Sequence, residues 1–131
     1  MSAWTAEFPD MRRLTVEEAR RQTRGLCTAS SGSLVIFGTI DVPYYEPRYV
    51  LAVIDGDQPL VFVDGPTSPH RYHDHSLCMW YPGDPDNHKW QATDGVEDLL
   101  YRIRNHLFRE AFHQGHQIWL GPEEPHGKAA A

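Results

Sequence analysis

The sequence predicts an α+β domain of two layers, an antiparallel β-meander covered by one long helix. Three observations lead there. Three runs rich in β-branched and aromatic residues follow one another with short Gly- and Pro-bearing separators. An apolar pattern at three- and four-residue spacing comes after them. The apolar stretches inside the runs are too continuous for a sheet wet on one face.

In chain order, "TVEE" from Thr15 offers a capping box: the Thr hydroxyl is placed for a free N–H of the first turn, and Glu18 for the reciprocal bond. Leu14 and Ala19 are spaced as a hydrophobic staple, arginines crowd the far end, and Gly25 suits a left-handed stop. A helix over about Thr15 to Arg24 is expected. The runs "SLVIFGTIDV", "RYVLAVID" and "PLVFVD" then read as three antiparallel strands, broken by "PYYEP" and "GDQ". From Asp94, paired with Glu97 as a second capping signal, Val96, Leu99, Leu100, Ile103, Leu107 and Ala111 recur at helical spacing, and Gly115 marks the expected end. This helix is the cover for the meander.

No repeat or low-complexity tract divides the 131 residues. A single domain over 1–131 is expected, its core at about 12–120, with loose ends before Met11 and after His126. Two cysteines, Cys27 and Cys78, form no spaced disulfide framework, and the first residues carry no apolar core of a secretion signal. A cytoplasmic setting is expected. "LVIF" and "YVLAVI" fall far short of the roughly 20 residues that span a bilayer, so no membrane segment is expected. Twelve basic against eighteen acidic residues, a formal charge of −6, disfavour nucleic acid as a partner. Five of the twelve basic residues, Arg12, Arg13, Arg20, Arg21 and Arg24, nevertheless cluster around the first helix. They form either a solvated face or a docking surface for an acidic partner.

Between the third strand and the long helix lie about thirty residues, from Gly65 to Thr93, rich in Pro, Gly, Asp and His. Connections of that length inside a domain commonly carry function. Within it, His70, His73, His75 and Cys78 are all acceptable zinc ligands, but their spacing matches no strong zinc signature. Solvated loop histidines are the plainer reading. Cys78 itself is either a small buried apolar residue or a nucleophile whose thiolate is favoured by neighbouring imidazoles, including His88. Cys27, in "GLCTAS", better fits the inert type.

"SPHRYHDHSLCMWYP", Trp90 in "HKWQATDGVEDLLYRI", and "YYEPRYVLAV" together resemble the ubiquitin-conjugating (E2) family over roughly Thr15 to Leu107. That family has a first helix, a meander, an irregular flap with an H-P-N tripeptide, a cysteine, a downstream tryptophan and a covering helix. "HDHSLCMWYPGDP" and "IWLGPEEPH" are similar to its bacterial E2-like subgroup. The resemblance implies a UBC-like two-layer fold with a long active-site flap. It implies that Cys78 carries a thioester, that His70 stands for the flap histidine, and that Trp90 is structural.

Arg71 and Tyr72 stand where the family has proline and asparagine, so the oxyanion donor must come from elsewhere. Backbone N–H groups around Leu77 to Met79, or His73, His75 or Asn87, are the candidates. Asp84 and Asp86 are placed in sequence to position and deprotonate an attacking lysine, although "PGDPDN" is also ordinary turn chemistry. His126 resembles the subgroup's C-terminal histidine. The implied partners are a ubiquitin-like protein, an E1-like activating enzyme met through the arginine-rich first helix, a protein target, and a JAB-type isopeptidase of the same system; no cofactor is implied. A non-catalytic module that binds a ubiquitin-like protein and a zinc-dependent hydrolase are the alternatives.

Overall fold

The computed structural model describes residues 6–22, 32–56, 58–65 and 89–117. Strand β1 (Arg12–Leu14) leads into helix α1 (Val16–Gln22), followed by β2 (Leu34–Ile40), β3 (Arg48–Asp55) and β4 (Gln58–Val63). A single 3-10 turn at Ala92–Asp94 then opens helix α2 (Gly95–His116). The four strands form one antiparallel sheet in sequence order, β1-β2-β3-β4.

Register puts alternate residues on opposite faces. Ile36 and Ile40 of β2, Val50, Ala52 and Ile54 of β3 and Val61 of β4 share one face and pack with Leu99, Leu100, Ile103 and Leu107 of α2. All four of those leucine and isoleucine side chains of α2 are fully buried, so the expected covering helix is present and presents the expected stripe. Ala111, placed on that stripe by its spacing, is only half-buried, and the inward positions of the last turns are His106 and Glu110 instead. The second face carries Val35, Leu51 and Val53, which join Leu14, Val16 and Ala19 around α1. The two-layer expectation therefore describes α2 and the sheet, with α1 adding a smaller cover on the opposite side.

The box at Thr15 forms as its residue types dictate. The Thr15 N–H donates to Glu18 Oε1 at 3.0 Å, and the Glu18 N–H donates to Thr15 Oγ1 at 3.1 Å. Leu14 and Ala19 are both buried in one cluster, as a staple requires. The helix starts where expected, directly after the Thr15 cap; Arg12 and Arg13 precede it in β1, a strand the sequence did not predict, paired with Phe37 and Ile36, because the Leu14 staple and the Thr15 cap end one conformation and begin another. Of the five clustered arginines only Arg20 and Arg21 lie in α1; Arg24 and Gly25 lie outside the described residues.

Part of the stretch before Met11, expected to be loose, is packed. Phe8 and Met11 are both 1% exposed and belong to the core under α2. Phe8 packs edge-on to Tyr101 with ring centroids 5.1 Å apart, and the Arg104 guanidinium lies 5.0 Å from both rings. Arg104 also pairs with Glu7 at 3.4 Å. A short apolar pair in a polar run carries little periodic signal, and its burial is set by the sheet edge it crosses.

The termini of α2 also differ from the expected chemistry. Asp94 does not cap α2 with its side chain; its carboxylate accepts from the Gln91 N–H at 2.9 Å and so closes the 3-10 turn that precedes the helix. At the other end the helix continues through Gly115 to His116, and Gln117 takes the left-handed conformation at φ 61°, its N–H donating to the His113 carbonyl at 2.8 Å. A glycine is tolerated inside a helix at modest cost, so its presence did not end this one.

Candidate functional site

The sequence-predicted site residues Cys78, His70, Asp84, Asp86 and His126 lie outside the described residues, as do His73, His75, Asn87, His88 and Cys27. The described structure gives the two places where the histidine- and cysteine-bearing segment leaves the sheet and rejoins the fold. Both are built from specific side chains.

The departure point is Asp64–Gly65, just after β4. The ladder between β3 and β4 ends at the pair Val50 and Val63, and Asp64 then bonds the β3 backbone with both its main chain and its side chain. The Asp64 N–H donates to the Tyr49 carbonyl at 3.2 Å, and the Tyr49 N–H donates to Asp64 Oδ1 at 2.9 Å. Arg48, one residue earlier, points to the opposite face from Tyr49 and closes over the same spot. Its Nε donates to the Asp64 carbonyl at 3.1 Å and lies 3.4 Å from Asp64 Oδ1, and its Nη2 also donates to the Asp64 carbonyl. Gly65 follows at φ +80°, a conformation that L side chains rarely adopt. A Cβ there would also lie 3.1 to 3.3 Å from three atoms of the Arg48 guanidinium, so the guanidinium rests directly on the glycine.

Beneath Arg48 is Glu110 of α2, fully buried, with Oε1 3.5 Å from Arg48 Nη2. An ionised carboxylate removed from water needs a countercharge, and Arg48, itself only 13% exposed, supplies one. Arg48 reaches it because even-numbered residues of β3 face α2, and Glu110 reaches it because it continues the inward row of Ile103 and Leu107. His106, one turn before Glu110 on the same row, is 6% exposed.

The return point is Trp90. It is 2% exposed and belongs to the α2 core, and its indole N–H donates to the Gly95 carbonyl at 2.7 Å. The structural part expected of this tryptophan is therefore observed. The segment that carries Cys78 thus departs beside Glu110 and returns beside Gly95. Glu110 is fifteen positions after Gly95, about 22 Å along the α2 axis at 1.5 Å per residue.

Sequence reasoning passed over Arg48, Asp64, Gly65 and Glu110. The signal was there in two forms: a glutamate three residues beyond Leu107 on an apolar stripe, and an arginine two residues before Val50 on the buried face of a strand. Each is a charge at a core position, and opposite charges at core positions call for one another.

Among the described residues no group of three or more His, Cys, Asp or Glu is arranged to hold a metal ion, and no helix is long and apolar enough to cross a membrane. Compared with protein-family models, with curated proteins and with solved structures, the chain gives no match.

Proposed function

We propose that this chain is a UBC-like, E2-like conjugating enzyme that carries a ubiquitin-like protein as a thioester on Cys78. One observation carries the reading: an antiparallel meander is followed by a long connection bearing Cys78, then a buried tryptophan, then a helix lying across the sheet. That order is the one the resemblance implies.

In the first step the Cys78 thiolate attacks the carbonyl carbon of the thioester on an E1-like enzyme. A new sulfur–carbon bond forms, the old one breaks, and the activating enzyme leaves as a thiolate. In the second step the nitrogen of a target lysine attacks the Cys78 thioester through a tetrahedral oxyanion. The nitrogen–carbon bond forms, Cys78 leaves as a thiolate, and the amine proton passes to a base. Asp84 or Asp86 serves as that base, with His70 in the part of the flap histidine and His126 in that of the subgroup's C-terminal histidine. Because asparagine is absent from the flap tripeptide, the oxyanion is met by another donor, a contribution on the order of 3 kcal/mol in acyl transfer. The setting is cytoplasmic, and a JAB-type isopeptidase reverses the product. The activating enzyme docks on α1, where Arg20 and Arg21 are exposed, with Arg12 and Arg13 beside them on β1.

The test mixes the full chain with its cognate activating enzyme, the ubiquitin-like protein and ATP, and looks for an adduct that thiol reagents cleave. Cys78→Ala abolishes it and Cys27→Ala does not. If an activating enzyme that charges itself never passes the modifier to Cys78, the chain is a binding module. If the protein purifies with near-stoichiometric zinc and its melting temperature falls steeply on chelation, Cys78 is a ligand.

A further inference from the structure

The hairpin tip between β2 and β3, residues Asp41 to Pro47, departs from what its own turn favours. The Tyr45 N–H donates to the Val42 carbonyl at 2.9 Å, closing a four-residue turn with Pro43 in its second position and Tyr44 in its third. Tyr44 is left-handed there, at φ 69°. A turn with proline second and a positive φ third is of type II, and its third position favours glycine or asparagine, because a Cβ crowds the backbone in the left-handed region. The ring is not buried in return: Tyr44 is 96% exposed. The tip thus holds a large side chain in a strained conformation and extends it into solvent.

The rest of the tip gives that ring its setting. Tyr45 lies edge-on to Phe108 of α2 with centroids 5.8 Å apart, and the row continues from Phe108 to Phe112 at 6.4 Å and from Phe112 to His116 at 4.1 Å. These rings tie the tip to the last turns of the helix. Pro43 and Pro47 are exposed on either side of the two tyrosines, so Tyr44 belongs to a contiguous apolar patch and is not a singly scattered surface residue. The patch carries charge of one sign. Asp41 and Glu46 are both exposed, neither has an ion-pair partner among the described residues, and no basic residue lies between positions 41 and 47. The next cation along the chain, Arg48, is engaged by Asp64 and Glu110.

We infer that this tip is a docking site for a cationic protein segment, in which a lysine or arginine side chain lies over the Tyr44 ring with Asp41 and Glu46 beside it. A guanidinium or ammonium is attracted to the face of a tyrosine, and its charge is complemented by the two carboxylates and by the net charge of −6. The turn supplies preorganisation, since the ring already stands in solvent and a partner meets it without rearranging the backbone. Glycine at position 44 would ease the turn and leave no ring for the cation. Such docking does not depend on a thioester at Cys78.

The experiment titrates the full-length, isotope-labelled protein with a short peptide that alternates arginine and glycine, and with one in which glutamate replaces arginine. Amide shifts report both site and affinity. The arginine peptide should shift Tyr44, Tyr45, Glu46 and the last turns of α2 most, and the glutamate peptide should shift none of them. Tyr44→Gly and Tyr44→Asn should each weaken binding about two- to fivefold, the size of an exposed cation–π contact. The double variant Asp41→Asn, Glu46→Gln should weaken it by a similar factor and reduce its dependence on salt. Glu97→Gln, which removes one exposed charge at the other end of α2, should change nothing. Urea unfolding is the second readout: neither Tyr44 variant should unfold at a lower urea concentration than wild type, because glycine and asparagine tolerate the left-handed conformation.

A lower urea midpoint in both Tyr44 variants makes the ring a structural part of the fold and overturns the inference. Wild-type affinity in those variants, or equal binding of the glutamate peptide, overturns it as well. If Glu97→Gln weakens binding as much as the loss of Asp41 and Glu46 does, the peptide follows net charge alone and the site falls. If the protein by itself sediments as a dimer that Tyr44→Gly splits, the occupant is a second copy, and the cationic segment is overturned.

Discussion

The backbone of Asp10 crosses directly over Gly38. A Cβ on that glycine would lie 2.7 Å from the Asp10 carbonyl carbon and 2.8 Å from the Met11 Cα, closer than real side chains come to backbone. The crossing is reinforced beside it, where the Thr39 hydroxyl donates to Asp10 Oδ2 at 2.9 Å. Gly38 is thus the gap in the sheet face through which the N-terminal segment delivers Phe8 and Met11 to the core.

Replacing Gly38 by alanine should force that backbone away and destabilise the protein by about 1–3 kcal/mol, as overfilled sites do. The same substitution at Gly115 should act in the opposite sense. That residue lies inside α2 with nothing within 4 Å of a new Cβ, so alanine there should stabilise by about 1 kcal/mol. Urea unfolding of the two variants gives both signs in one experiment, and equal shifts would refute the crossing.

Leu100 is fully buried between α2 and the sheet. Leu100→Ala should cost about 2–5 kcal/mol, because the removed atoms leave a cavity that neighbours fill only in part. A loss near zero, measured by the same unfolding method, would place the apolar stripe of α2 elsewhere.

Trp90 makes one directional bond in addition to its packing. Trp90→Phe keeps an aromatic ring in the core but removes the N–H that the Gly95 carbonyl accepts. The expected loss is roughly 1–3 kcal/mol, from the missing bond and the smaller ring. Hydrogen exchange in the first turn of α2 should rise more than in its last turn, since Gly95 begins the helix.

Glu18 gives the fold an acid-sensitive joint. The Thr15 backbone N–H, and after it the Thr15 hydroxyl, hold the Glu18 carboxyl below the ordinary glutamate range. A carboxyl depressed in the folded state takes up a proton on unfolding in acid. Its contribution is complete above the unfolded-state value and is lost as the pH falls through the lower folded-state value. The difference in urea midpoint between wild type and Glu18→Ala should therefore be constant above about pH 6 and shrink below about pH 4. A difference that grows in acid would refute the pairing.

Periodic features were readable in the residues, and features set by neighbours across the fold were not. The strands over "SLVIFGTIDV", "RYVLAVID" and "PLVFVD", the Thr15–Glu18 box and the stripe of Leu99, Leu100, Ile103 and Leu107 follow from local chemistry that repeats at a fixed interval. Strand β1 has three residues, two of them arginines, and exists because β2 offers it a partner. Phe8 and Met11 are buried by the same edge. At the N-terminus of α2, the Asp94 carboxylate accepts from the Gln91 N–H and not from the first turn of the helix, because the chain turns there before the helix starts. For the candidate site the residues offered chemistry without geometry: Cys78 and its histidines declare what could react. The polar joint that anchors their segment is made by Arg48 and Glu110, sixty-two positions apart, which no local window brings together.

The contact between the two ends of the described chain also constrains the order in which a growing chain can fold. Glu7 and Arg104 are 97 positions apart, and Phe8 lies against Tyr101. During synthesis the three hairpin-linked strands β2, β3 and β4 can pair as soon as they emerge, because each finds its neighbour next in sequence. Phe8 and Met11 emerge before any of them and acquire their cover only when α2 has left the ribosome. Throughout that interval the nascent protein presents a bare apolar sheet face and two unburied N-terminal anchors, surface that is open to association until α2 arrives.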